Sequence, residues 1–100
     1  MGDSPFGAAT PGHLIAGSWR AGGGDEARSV NPADPSQVVA TYRLGTREDL
    51  ADAVAAAVSA QREWEDLGSI KRGAILRDAA DLLAARREAV AELMTLDQGK

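Results

Sequence analysis

The sequence predicts an α/β fold in which short paired strands come first and amphipathic helices follow. Three observations carry this. Residues 13–43 hold short runs of strand-forming residues separated by glycine and proline clusters. Residues 47–67 and 70–85 repeat apolar side chains at helical spacing, and 87–97 continue in nearly the same phase. The 100 residues are 44% hydrophobic and 26% charged, a balance that excludes a polar disordered chain.

Met1 to Gly12 contains Pro5, Pro11, three glycines and a single large apolar residue, Phe6. That is too little to pack, so residues 1–12 read as a flexible N-terminal tail and residues 13–100 as the folded part. Leu14 and Ile15 form a short strand, Gly17-Ser18 a turn, and Trp19-Arg20 the start of the returning strand. Gly22, Gly23 and Gly24 then read as a flexible hairpin loop. Ala27 to Val30 makes another short strand, ended by a turn over Asn31-Pro32-Ala33-Asp34-Pro35, where two prolines fix φ and remove backbone donors. Beyond it Val38, Ala40 and Tyr42 alternate with Val39, Thr41 and Arg43, and the Val38 face is the more apolar. So short a strand needs partners for its backbone, and the earlier strands supply them.

Thr46 stands three residues before Asp49, an aspartate form of the capping-box spacing, and Glu48 and Asp49 put negative charge where a helix N-terminus is positive. Leu50, Ala53, Val54, Ala57, Val58, Ala60 and Trp64 follow at helical spacing. Gly68 supplies a left-handed ending, and Ser69 is the expected N-cap of the next helix. There Ile75, Leu76, Ala79, Ala80, Leu82 and Leu83 make a broad stripe. Arg86 and Arg87 interrupt it, which places a bend between Ala85 and Glu88. Much of the apolar surface is alanine, which buries little area by itself, so the helices are suited to lie closely against something else.

Composition excludes several classes of function. A net charge of −4 and a pI near 4.8 oppose a nucleic-acid surface, which needs clustered Lys and Arg. No apolar run approaches the ~20 residues of a membrane-spanning helix, and the first eleven residues lack the pattern of a secretory signal. Phe6 occupies the position where a myristoylation signal needs Ser or Thr. With no cysteine there is neither a disulfide framework nor a thiolate metal site. A cytoplasmic location is the expectation.

Candidate chemistry is sparse. Gly99-Lys100 resembles the end of a phosphate loop, but Met94 stands where that motif needs its first glycine, so a helix end with a solvated lysine is the better reading. Gly22 to Gly24 lacks dinucleotide-loop spacing and is followed by no helix. His13 is the single histidine and has no second His or Cys to share a metal. The acids of Glu63-Trp64-Glu65-Asp66 read as a solvated helix face rather than an acid-base pair. Arg72 projects onto the apolar face of its helix, where its stem packs and its head reaches solvent or a carboxylate. Trp19 and Trp64 read as core residues, Trp64 filling volume that the alanines leave.

The order of these elements resembles the N-terminal stretch of the aldehyde dehydrogenase superfamily. The residues that carry the likeness are Leu14-Ile15-Ala16-Gly17-Ser18-Trp19, the Val30-Asn31-Pro32 turn, the strand Val38 to Tyr42, the two helical segments and Leu96-Asp97-Gln98-Gly99-Lys100, from about His13 to Lys100. The resemblance implies a fragment, truncated at residue 100, of a Rossmann-like NAD(P)-binding domain, here short hairpin strands with outer helices that brace the cofactor sheet. It implies an enzyme that oxidises an aldehyde to a carboxylic acid with NAD⁺ or NADP⁺ through a cysteine thiohemiacetal and thioester. The nucleophilic cysteine, the general-base glutamate and the cofactor loop of that family lie further along. This chain is therefore expected to contribute no catalytic and no cofactor-binding residue and to be inactive alone. Some members bind a monovalent cation partly through backbone oxygen before the V-N-P turn, which makes the Ser29 backbone a weak candidate ligand. The implied partners are an aldehyde substrate and, for the parent enzyme, further copies of itself in a dimer or tetramer, with no nucleic acid and no membrane. The Val30 to Pro35 texture suggests a small semialdehyde or an oxo-acid aldehyde. The alternative from another class is a free-standing, non-catalytic helical interaction module gripping a partner with the Leu50–Trp64 and Ile75–Leu83 faces.

Overall fold

The computed structural model describes residues 11–100, so the tail expected over residues 1–12 lies outside the described residues as far as Thr10. Four strands precede three helices: β1 (His13–Ile15), β2 (Ser18–Arg20), β3 (Glu26–Asn31), β4 (Asp34–Arg43), α1 (Arg47–Asp66), α2 (Gly68–Ala85) and α3 (Arg87–Gln98). The strands form two separate antiparallel ribbons, β1 with β2 and β3 with β4.

In the first ribbon Ile15 pairs with Ser18, which leaves Ala16 and Gly17 as the turn rather than the expected Gly17-Ser18. The shift has a geometric cause. A two-residue hairpin whose twist matches its strands needs positive φ at both central positions, and Ala16 and Gly17 have φ of 52° and 78°.

The second ribbon corrects two expectations. The turn contracts to Pro32-Ala33, with the Asn31 side-chain oxygen accepting the Ala33 amide at 2.9 Å, and β4 already begins at Asp34 opposite Asn31. Pairing then jumps to Val30 with Val38, so Pro35 sits where the ladder is broken and its missing N–H costs no ladder bond. The Asp34 carboxylate accepts the Ser36 amide and hydroxyl across this irregular stretch, and Asn31 Nδ2 donates to Gln37 Oε1. A further shift follows at once, since Ser29 pairs with Ala40 and the next pair is Val30 with Val38. Val39 is the extra residue of this bulge. The two-residue alternation expected along this strand is broken: the neighbours Val39, 1% exposed, and Ala40 are both buried, which strict alternation forbids and a bulge allows.

The Thr46 capping box forms as its spacing predicts. The Asp49 amide donates to Thr46 Oγ1 at 3.1 Å, and the Thr46 amide donates to Asp49 Oδ2 at 2.9 Å. Gly68 has the left-handed φ expected of it, 82°. Ser69, however, is not the N-cap of α2; that helix starts a residue earlier, its cap position is Leu67, and no side chain caps it. Between α2 and α3 the backbone leaves helical geometry at Arg86, with φ −104° and ψ 17°, inside the span where the arginine pair interrupts the stripe.

Helix α3 lies against the second ribbon. The Ser29 hydroxyl donates to the Asp97 carboxylate. Gly99 closes the helix in the left-handed region at φ 74°, so near the β3–β4 turn that a Cβ there would stand 2.9 Å from the Ala33 nitrogen.

No residue of α1, α2 or α3 is buried. The radius of gyration, 16.7 Å, exceeds the ~13 Å of a compact chain of this length, because the helices extend without wrapping a core. Trp64, expected to fill a core, is 38% exposed, and Ile70 is 88% exposed. The periodicity places their stripes, but no described segment of this chain lies across them.

Candidate functional site

The densest polar arrangement is built around Asp49. Its position in the first turn of α1 follows from the capping box, and its carboxylate reaches beyond the helix to two earlier segments. Oδ2 accepts the Gly23 amide at 2.9 Å, the Thr46 amide at 2.9 Å and the Thr46 hydroxyl at 3.1 Å, while Oδ1 accepts from Arg20 Nη2 at 3.1 Å. The same Arg20 nitrogen reaches Asp52 Oδ2, one helical turn further, at 2.9 Å. The Gly23 amide, then the Thr46 amide, hold the Asp49 carboxyl at about 2, below its ordinary 3.8. Arg20 is raised, chiefly by its hydrogen bond to Asp52. A carboxylate so supplied with donors is a weak base. Its role is to tie β2, the glycine segment and α1 together.

The three glycines belong to this tie and are not a flexible loop, which corrects the sequence reading. Gly22 is buried, and a Cβ there would stand 2.2 Å from the Leu44 carbonyl oxygen; at Gly24 the distance would be 2.8 Å. The Gly24 amide donates to that same carbonyl at 2.8 Å, and Leu44 N donates to Asp25 O at 2.8 Å. The glycines let two backbones meet, and the space a phosphate would need is taken by residues 43–46.

Beside the tie lies an open cleft of about 700 Å³ lined by His13, Leu14, Thr46, Arg47, Asp49 and Leu50 among others. His13 is half-buried at its edge. Among the described residues no group of three His, Cys, Asp or Glu side chains could hold a metal ion. Arg72 is half-buried on α2, and the described ion pairs do not include it. Glu63, Glu65 and Asp66 are exposed. Trp19, 72% exposed on β2, is not the core residue the sequence suggested.

Ser29, the candidate for a backbone ligand, lies beside a carboxylate through its side chain. Its inward position on β3 brings it against Asp97 of α3, in a second cleft of about 470 Å³ that also includes Val39, Ala40, Tyr42 and Met94. The hydroxyl and the carboxylate satisfy each other, so this contact joins β3 to α3. Asp97 was legible only as the acid of the acidic-x-Gly-Lys ending, and its pairing with a residue 68 positions earlier needed the fold.

Comparison with known proteins covers nearly all of this structure. The model of the aldehyde dehydrogenase family matches residues 19–100. An α-ketoglutarate semialdehyde dehydrogenase of Haloferax volcanii is 41% identical over 89 residues, which are 88% of this chain and 18% of the relative. A 2,5-dioxopentanoate dehydrogenase of Saccharolobus solfataricus is 40% identical over 86 residues, again 18% of its length. Among solved structures, the Δ-pyrroline-5-carboxylate dehydrogenase of Mycobacterium tuberculosis superimposes with a TM-score of 0.80 at 37% identity, over 85% of this chain and 16% of that one. The same protein has been solved with NAD bound.

Proposed function

This chain belongs to the aldehyde dehydrogenase family, and from that membership we propose that it is the N-terminal structural segment of an enzyme that oxidises an aldehyde to a carboxylic acid with NAD⁺ or NADP⁺. The carrying observation is the family match over residues 19–100 by a chain that spans only 16–18% of its relatives' lengths. In this reading the chemistry belongs to later residues, where a nicotinamide cofactor would accept the electrons of aldehyde oxidation and a cysteine would serve as nucleophile. None of the residues in this chain is assigned a catalytic or cofactor-binding role. The Asp49 tie and the glycine contact with Leu44 support that assignment, because the Asp49 carboxylate and the Leu44 carbonyl are engaged within the segment.

The segment's own work is to present the α1 and α2 faces to the rest of the enzyme. The exposure of their large apolar side chains supports this, since contiguous apolar patches are normally covered. A free-standing interaction module would expose the same stripes, but the family match accounts for strands and helices together. The two curated relatives act, by their names, on one compound, α-ketoglutarate semialdehyde or 2,5-dioxopentanoate, so a short aldehyde that also carries a carboxylate is the proposed substrate class. A cytoplasmic homo-oligomer, dimer or tetramer, completes the proposal. No described helix is long and apolar enough to cross a membrane.

For Ser29 the proposal is that its backbone oxygen takes a share in a monovalent cation site, other ligands coming from outside this segment.

The reading frame beyond Lys100 tests the enzymatic reading. It should encode, in order, a strand with a glycine-rich turn into a helix, a general-base glutamate and a cysteine nucleophile. A stop codon directly after Lys100 in an expressed gene would overturn it and favour the interaction module.

A further inference from the structure

We draw no further inference here: the strongest candidate, the exposed apolar surface running along α1 and around the α2–α3 elbow, carries nothing because nothing in the structure shows what covers it.

Discussion

Asp49 Oδ2 accepts the Gly23 amide at 2.9 Å, so a side chain in the first turn of α1 holds a backbone 26 residues earlier in the chain. The same oxygen closes the capping box at Thr46, which couples the start of the helix to the packing of the glycine segment. Local capping and tertiary contact are here one interaction.

Replacing Asp49 by Asn should therefore lower the denaturant midpoint at neutral pH. The folded-state carboxyl lies at about 2, below its ordinary 3.8, so its charge contributes stability that is fully present above the ordinary value and lost as pH falls through the folded one. The gap between D49N and the unsubstituted protein should close across that window. Urea titrations at a series of acidic pH values read it, and a gap that persists unchanged to the acid end would contradict the assignment.

Gly22 and Gly23 are neighbours with opposite expectations. A Cβ at Gly22 meets the Leu44 carbonyl at 2.2 Å, backbone that cannot easily move, whereas one at Gly23 meets the Thr46 methyl at 3.2 Å, the end of a side chain. Gly22→Ala should cost about 1–3 kcal/mol, the usual range for overpacking, and Gly23→Ala clearly less. Equal thermal midpoints for the two variants would mean that the close approach is not rigid.

Ala16 sits at φ 52° in an exposed turn, a conformation that asparagine accepts more readily than alanine. Ala16→Asn should raise stability by about 1 kcal/mol, read as a higher melting temperature. A loss of stability would mean that the β1–β2 turn is of another kind.

Trp64 separates the isolated chain from the longer enzyme. At 38% exposed it is only partly covered in the chain alone, so truncation there should cost less than in the longer protein. In the full-length protein, with its stripe covered, Trp64→Ala should cost about 3–5 kcal/mol while turnover per folded molecule stays nearly unchanged. Normal stability with a large loss of turnover would place Trp64 at the active site instead.

What the sequence made legible follows from how local each cause is. The Thr46–Asp49 cap, the left-handed Gly68 and the break at the arginine pair depend on residues within one turn, and each is where its local chemistry puts it. The bulge at Val39 was not legible, because it depends on which residue of β3 faces which residue of β4. The glycine cluster misled for the same reason: glycine that permits flexibility and glycine that permits contact look alike until Leu44 is seen beside it. Ser29 and Asp97 meet only once α3 is laid across the ribbon. Burial of the helix stripes was expected from periodicity, yet periodicity names a face and not the surface that covers it.

The most direct test of the account is amide hydrogen exchange along α1 and α2, measured on the isolated 100 residues and on the full-length protein. The backbone hydrogen bonds of helices without a buried face open easily, so exchange should be fast throughout both helices in the isolated chain and strongly slowed in the full-length protein. Equal, strong protection in both would show that the helices need no further polypeptide to cover them, and would contradict the reading of this chain as a structural segment of a larger dehydrogenase.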